Sequence, residues 1–300
     1  MRRIKKLCNV LTCFVLLTAC NNKQKQYYDT GELHEVYRLI NGEKEGKYTE
    51  YYRNGNTRII HHYNQGVKVD SSVYFKKEGG VKGKDFYVNG ETTRVLFNPK
   101  IYSKIAGKID SLERFVGDVN FYNKEGWLEI QKEFLIIEDK PYLNQEKFFD
   151  KNGEIVLGEG DYFVITQKQD TTKINKPIIA NGLLISQKSL HENYSSSIKI
   201  VLPKTKSVNF NDDFSNVNEV ETDTIYDLNI EKKYRELLNI KEGSFPTHAL
   251  FGRYYSEVGK QDFRGIIVEY FNDPNTPDSL KNYERKYYFD IPVYVKDTIE

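Results

Sequence analysis

The chain is poor in the residues that carry the commonest catalytic and metal chemistry. It has three cysteines in 300 residues, Cys8, Cys13 and Cys20, and none follows residue 20. The remainder therefore has no internal disulfide, no thiolate metal site and no cysteine nucleophile. There are five histidines: His34, His61, His62, His191 and His248. On a strand His61 and His62 would point to opposite faces, so they cannot chelate one ion together. His34-Glu35 is followed by Val36-Tyr37-Arg38, which does not make the H-E-x-x-H pattern of a zinc helix. No G-x-S-x-G elbow, phosphate-binding loop or dinucleotide fingerprint occurs. Charge of one sign is also missing, with 44 basic against 43 acidic side chains. That balance excludes the basic field on which nucleic-acid binding depends.

What is present begins at the N-terminus. Arg2, Arg3, Lys5 and Lys6 form a positive region ahead of the uncharged run Leu7 to Leu17. A run of about ten residues suits the apolar part of a signal peptide and is too short to span a bilayer. It ends in Leu17-Thr18-Ala19-Cys20, followed by the polar stretch "NNKQKQ". This resembles the lipobox of bacterial lipoproteins, in which cleavage precedes the cysteine and that residue is acylated. The resemblance implies a signal peptide over 1–19, lipidation at Cys20 and a polar tether over 20–26. Residues 1–19 hold four basic and no acidic side chains, so their removal takes the formal charge from +1 to −3. Two or more acyl chains anchor a protein stably where one does not. Asn21 and Asn22, rather than an aspartate, follow the cysteine, which in such lipoproteins points to the outer membrane, facing the periplasm.

From Tyr27 onward a period of 24 residues runs through three copies. Gly31, Gly55 and Gly79 each follow an aromatic, Tyr27, Tyr51 or Phe75, by four residues. Between them fall Asn41-Gly42, Gln65-Gly66 and Asn89-Gly90. Turn signals thus alternate at spacings of 11 and 13, leaving room for one strand between each pair. Asn-Gly is the strongest short hairpin signal, and the glycines recur because the chain must reverse there with positive φ. Each repeat is then one hairpin, and successive hairpins form an antiparallel meander. The 23 tyrosines and 17 phenylalanines, against one tryptophan and one methionine, also favour strands.

The segment "NGEKEGKYTEYYRNG", Asn41 to Gly55, resembles the variant MORN repeat of bacterial antitoxin-like proteins. The match is Gly42, Gly46, Tyr48, Tyr51, Tyr52, Asn54 and Gly55. The second copy departs from it, with Asp70 in place of Gly46 and Ser72 in place of Tyr48. The resemblance implies an open, repetitive sheet and a binding or scaffolding role. Beyond Gly90 the pattern fades, though Tyr122 to Gly126 and Phe149 to Gly153 restate it. The array is expected over 27–160.

From Asp161 short apolar strands alternate with polar connectors, and a β-sandwich-like domain is expected over 161–300. Glu231 to Ile240 reads as a short helix, with Tyr234, Leu237 and Leu238 on one side. Asn209 to Asp223 is polar and acidic and reads as a mobile loop. Its carboxylates lack the spacing of a calcium loop. The fold class is mainly β, with no metal and no cofactor expected. The candidate binding residues are the stripe Tyr27, Tyr51 and Phe75, together with Tyr63 and Tyr87 from the set Leu39, Tyr63, Tyr87. Tyrosine stripes offer flat apolar area and a hydroxyl to a protein or glycan partner. The function expected is a membrane-anchored binding or scaffold module, not an enzyme. The alternatives are an immunity protein neutralising a toxin, and an envelope glycan-acting enzyme with dispersed carboxylates.

Overall fold

The computed structural model describes residues 23–98, 100–167, 170–186, 190, 194–228 and 247–297. Cys20, His191 and the helix expected over Glu231 to Ile240 lie outside these residues. Every regular element among the described residues is a β-strand, so the fold class is all-β. The chain divides into two compact units, Met1–Val81 and Lys82–Glu300.

The first unit contains β1 (Lys23–Tyr27), β2 (Leu33–Ile40), β3 (Glu43–Lys44), β4 (Gly46–Tyr51), β5 (Thr57–Asn64) and β6 (Val67–Phe75). They form an antiparallel meander in the order β1-β2-β4-β5-β6, with the short β3 beside the end of β2. The turn chemistry follows from the repeat. Asn41 and Gln65 have φ of 52° and 48°, and Gly42 and Gly66 follow at 85° and 78°. Two successive positive φ values are what a tight two-residue hairpin turn demands. Where Gly46 has φ 70°, its counterpart Asp70 still has φ 58°. The pairing of β5 with β6 slips between Ile60 and His62, so a bulge survives there without glycine. Aspartate tolerates this region better than most residues.

Hydroxyl bonds tie each repeat to the next. Tyr28 donates to the Tyr51 carbonyl at 2.7 Å, and Tyr52 to the Phe75 carbonyl at 2.9 Å. Asn54 and Asn56 both donate to the Lys77 carbonyl, at 3.1 and 2.9 Å. Such bonds matter because the sheet is thin: between residues 23 and 81 only Tyr48, Thr49, His61 and Ser72 are buried. The edge strand β1 includes Lys23 to Gln26, which the sequence assigns to the tether. Its lysines make a poor template for a further strand.

The second unit holds a longer meander and a smaller sheet. The meander runs β7 (Val81–Val88), β8 (Glu91–Phe97), β9 (Lys104–Ile109), β10 (Phe115–Tyr122), β11 (Leu128–Ile137), β12 (Lys140–Phe149) and β13 (Ile155–Gln167). It continues through β15 (Ile178–Ser186) to β18 (His248–Arg253). The smaller sheet has the order β14-β20-β19-β16-β17, from β14 (Thr171–Lys173), β16 (Ser196–Pro203), β17 (Thr222–Tyr226), β19 (Gly259–Phe271) and β20 (Glu284–Lys296). The expected boundary at Gly160/Asp161 falls inside β13, where Gly158 and Gly160 have φ of 85° and 83°. A Cβ on Gly160 would lie 2.3 Å from the Glu146 carbonyl, so only glycine fits.

The main core joins the end of the meander to the smaller sheet. Ile178 and Leu184 of β15 and Phe251 of β18 face Ile198 and Ile200 of β16, Phe263 of β19 and Phe289 of β20. Each of these is at most 3% exposed. Burying a side chain of this size contributes about 1.5–3 kcal/mol, so stability concentrates in this sandwich. The segment expected as a mobile acidic loop is a strap folded onto the smaller sheet. Phe210 and Phe214 are buried there against Ile266, Val268 and Tyr288.

Candidate functional site

The first unit places one group of side chains together on a single face. Glu35 and Tyr37 alternate along β2, Tyr48 and Glu50 along β4, and His61 and Tyr63 along β5, so each pair shares a face. Glu35 pairs with Glu50, and Tyr48 with His61. Tyr48 is the centre of an aromatic cluster, with ring centroids 6.1 Å from Tyr37, 5.5 Å from His61 and 6.0 Å from Tyr63. His61 extends it to Tyr74 at 6.2 Å and shares a 2.5 Å hydrogen bond between Nδ1 and Ser72 Oγ.

The Lys44 ammonium stands over three of these rings, 4.3 Å from Tyr48, 5.2 Å from Tyr37 and 5.5 Å from Tyr63. The negative faces of aromatic rings attract such a cation. Lys44 reaches them because it lies in β3, between the Asn41-Gly42 turn and Gly46. Glu35 and Glu50 add negative charge. Burial, and then these two carboxylates, push the Tyr48 phenol far above its ordinary value. Glu50 is held by Arg58 at 2.6 Å, with His34 Nε2 at 3.4 Å. The face combines flat apolar area, hydroxyls and an acidic rim, which suits it to contact chemistry with cations or hydroxylated partners.

The sequence-derived residues are distributed unevenly. Tyr63 belongs to the cluster and is half-buried. Tyr51 and Phe75 end β4 and β6, half-buried, and their carbonyls receive the repeat-to-repeat hydroxyl bonds. Tyr27 ends β1 with 58% of its surface exposed. Tyr87, half-buried on β7, belongs to the second unit. Tyr37, Lys44 and Glu35 were not singled out from the sequence. The available signal was alternation along β2 from Leu33, which places Glu35 and Tyr37 on one face. Tyr28 and Tyr52 carried a second signal, a tyrosine recurring 24 residues on, directly after the first.

Among the described residues no group of three or more His, Cys, Asp or Glu could hold a metal ion. Also among them, no helix is long and apolar enough to cross a membrane. In the acidic strap Asp213 accepts a bond from the Ser215 backbone at 3.0 Å, and Ser215 holds its carboxyl below the usual range. No family model matches this chain, and no curated protein is similar enough to count as a relative.

Proposed function

We propose that this protein is a binding module of the bacterial envelope, tethered through acylated Cys20 and engaging its partner through the aromatic face of its MORN-like repeats. The observation that carries the reading is the cluster of Tyr37, Tyr48 and Tyr63 around Lys44, on a sheet so thin that most of its side chains stay in partial contact with water. A catalytic site encloses its substrate, whereas this face offers breadth. Tyrosine brings large contact area at low cost in side-chain entropy. The partner is a protein or glycan of the envelope, and the balanced charge of the chain argues against nucleic acid.

The test is affinity capture from envelope extracts with the full chain as bait. Tyr37→Ala and Tyr63→Ala should each weaken recovery of the same partner while leaving thermal unfolding cooperative. Loss of a central contact aromatic costs about 2 kcal/mol, roughly thirtyfold in affinity. Recovery of every partner at wild-type levels by both variants would reject the aromatic face as the contact surface.

A further inference from the structure

Between β11, β12 and β13 of the meander and β20 of the smaller sheet lies a cavity of about 440 Å³, a size typical of small-molecule sites. Its frame is fixed by side chains that stand in for strand pairing. Asn144 on β12 bonds both backbone groups of Tyr288, donating to the carbonyl and accepting from the N–H at 2.8 Å each. Tyr142 donates to the Lys286 carbonyl at 2.6 Å. Gln145 is held at both ends, donating to Glu133 at 2.7 Å and accepting from the Phe163 N–H at 3.1 Å. These bonds clamp β12 to β20 and to β13 beside the cavity, so its walls are part of the sandwich.

Three rings wall it: Phe163, Tyr288 and Phe214. Phe214 comes from the strap, packs against Tyr288 at 4.8 Å, and is held at φ 55°. Positive φ is a strained conformation for a bulky residue, and such strain gathers at ligand clamps. One polar atom on the same walls has no matching group. The Gln167 carbonyl oxygen is buried and accepts no hydrogen bond. Lys147 and Asp212 add a donor and an acceptor to the lining; the Lys147 ammonium stands 6.0 Å from the Tyr162 ring and Asp212 is exposed to solvent.

We propose that this cavity is a carbohydrate site that takes a pyranose ring. The Gln167 oxygen calls for a donor, Asp212 can accept and Lys147 can donate, and a sugar hydroxyl answers each of them. The C–H face of the ring supplies the flat apolar surface that the three aromatics would cover. An alkyl chain would leave the buried Gln167 oxygen unmatched, at a cost of about 1–3 kcal/mol. An anionic ligand would meet Asp212, Glu133 and Asp290 on the same walls. The terminal torsion of glutamine is soft, so a small rotation presents the Gln167 oxygen to a ligand. No residue of the first unit takes part, so this site stands or falls apart from the aromatic face.

Saturation-transfer NMR on the full-length protein in detergent, with the methyl glycosides of glucose, galactose, mannose and N-acetylglucosamine at millimolar concentration, tests it. At least one glycoside should receive saturation, strongest at the hydrogens of one ring face. Gln167→Leu should weaken it about tenfold, the loss of one good hydrogen bond. Phe214→Ala should weaken it through loss of the stacking wall, and Gln167→Leu keeps the test valid if that variant unfolds. The proposal is overturned if no glycoside receives saturation, or if the transfer is unchanged in a folded Gln167→Leu protein. Capture of a fatty acid in the absence of any glycoside signal would assign the cavity to an apolar ligand and overturn it equally.

Discussion

Glu269 lies on β19 with its side chain almost wholly out of water, at 1% exposure. Ser196 donates to Oε1 at 2.7 Å, while Oε2 is buried without a hydrogen bond. Arg285 Nη1 stands 3.8 Å from Oε2 and only 3.2 Å from Asp161, so the cation is shared. Burial pushes the Glu269 carboxyl up, and the Ser196 bond and the Arg285 charge offset it only in part. A carboxyl with a raised folded pKa binds more protons folded than unfolded, so its contribution to stability falls as pH rises through that interval. The window opens at the ordinary glutamate value of 4.5 and extends upward. His248 works the other way, because burial lowers its pKa and stability drops as pH falls below 6.5. The comparison that isolates Glu269 is therefore wild type against Glu269→Gln, by urea unfolding between about pH 5 and pH 8. The wild type should lose stability relative to the variant as pH rises. Parallel pH profiles would show that no unfavourable buried charge resides there.

At the scale of elements, the turns were legible and the strap was not. Gly31, Gly55 and Gly79 have φ between 84° and 98° because reversal at a fixed register requires that region, and glycine enters it freely. Asp70 hides the same backbone behind a different side chain, so the bulge it keeps was invisible to a motif match. The strap over Asn209 to Asp223 misled for a similar reason. Its acidic and amide residues dominate the composition, but two phenylalanines four residues apart bury themselves and decide its place. The tyrosine cluster was half legible: the 24-residue period found Tyr63, while Lys44 and Glu35 meet it only through pairing that no period records. Asn144 is a further case, the first of four consecutive polar residues in β12, and its role depends on β20, 144 positions away. Replacing Asn144→Leu leaves the N–H and carbonyl of Tyr288 buried without partners, and each such group costs about 1–3 kcal/mol. The expected result is a loss of roughly 2–5 kcal/mol in denaturant unfolding, with an unchanged dependence on denaturant concentration. A loss below about 1 kcal/mol would mean that water replaces the amide and that β20 is not held by this bond.

At the scale of the whole molecule, the proposed tether and the repeat array bear on each other. Only Asn21 and Asn22 separate Cys20 from β1, which begins at Lys23. Three residues span at most about 10 Å when fully extended, so an acylated Cys20 would hold the edge strand close to the headgroups. Lys23 would then lie about one Debye length from anionic lipid, roughly 8 Å at physiological salt, with Lys25 up to about 7 Å farther along the strand. Each is worth at most about 1 kcal/mol of attraction at such a surface, and less as the distance grows. The lipid chains should therefore supply most of the anchoring and the lysines a small, salt-sensitive remainder. Cys20→Ser tests this division by fractionating cells and washing the membranes at low and then high salt. The variant should leave the membrane in high salt, whereas the wild type should require detergent. Adding Lys23→Gln and Lys25→Gln should release the Cys20→Ser protein already at low salt. If Cys20→Ser stays with the membrane through the high-salt wash, the anchor lies elsewhere in the chain and the lipidation proposal is wrong.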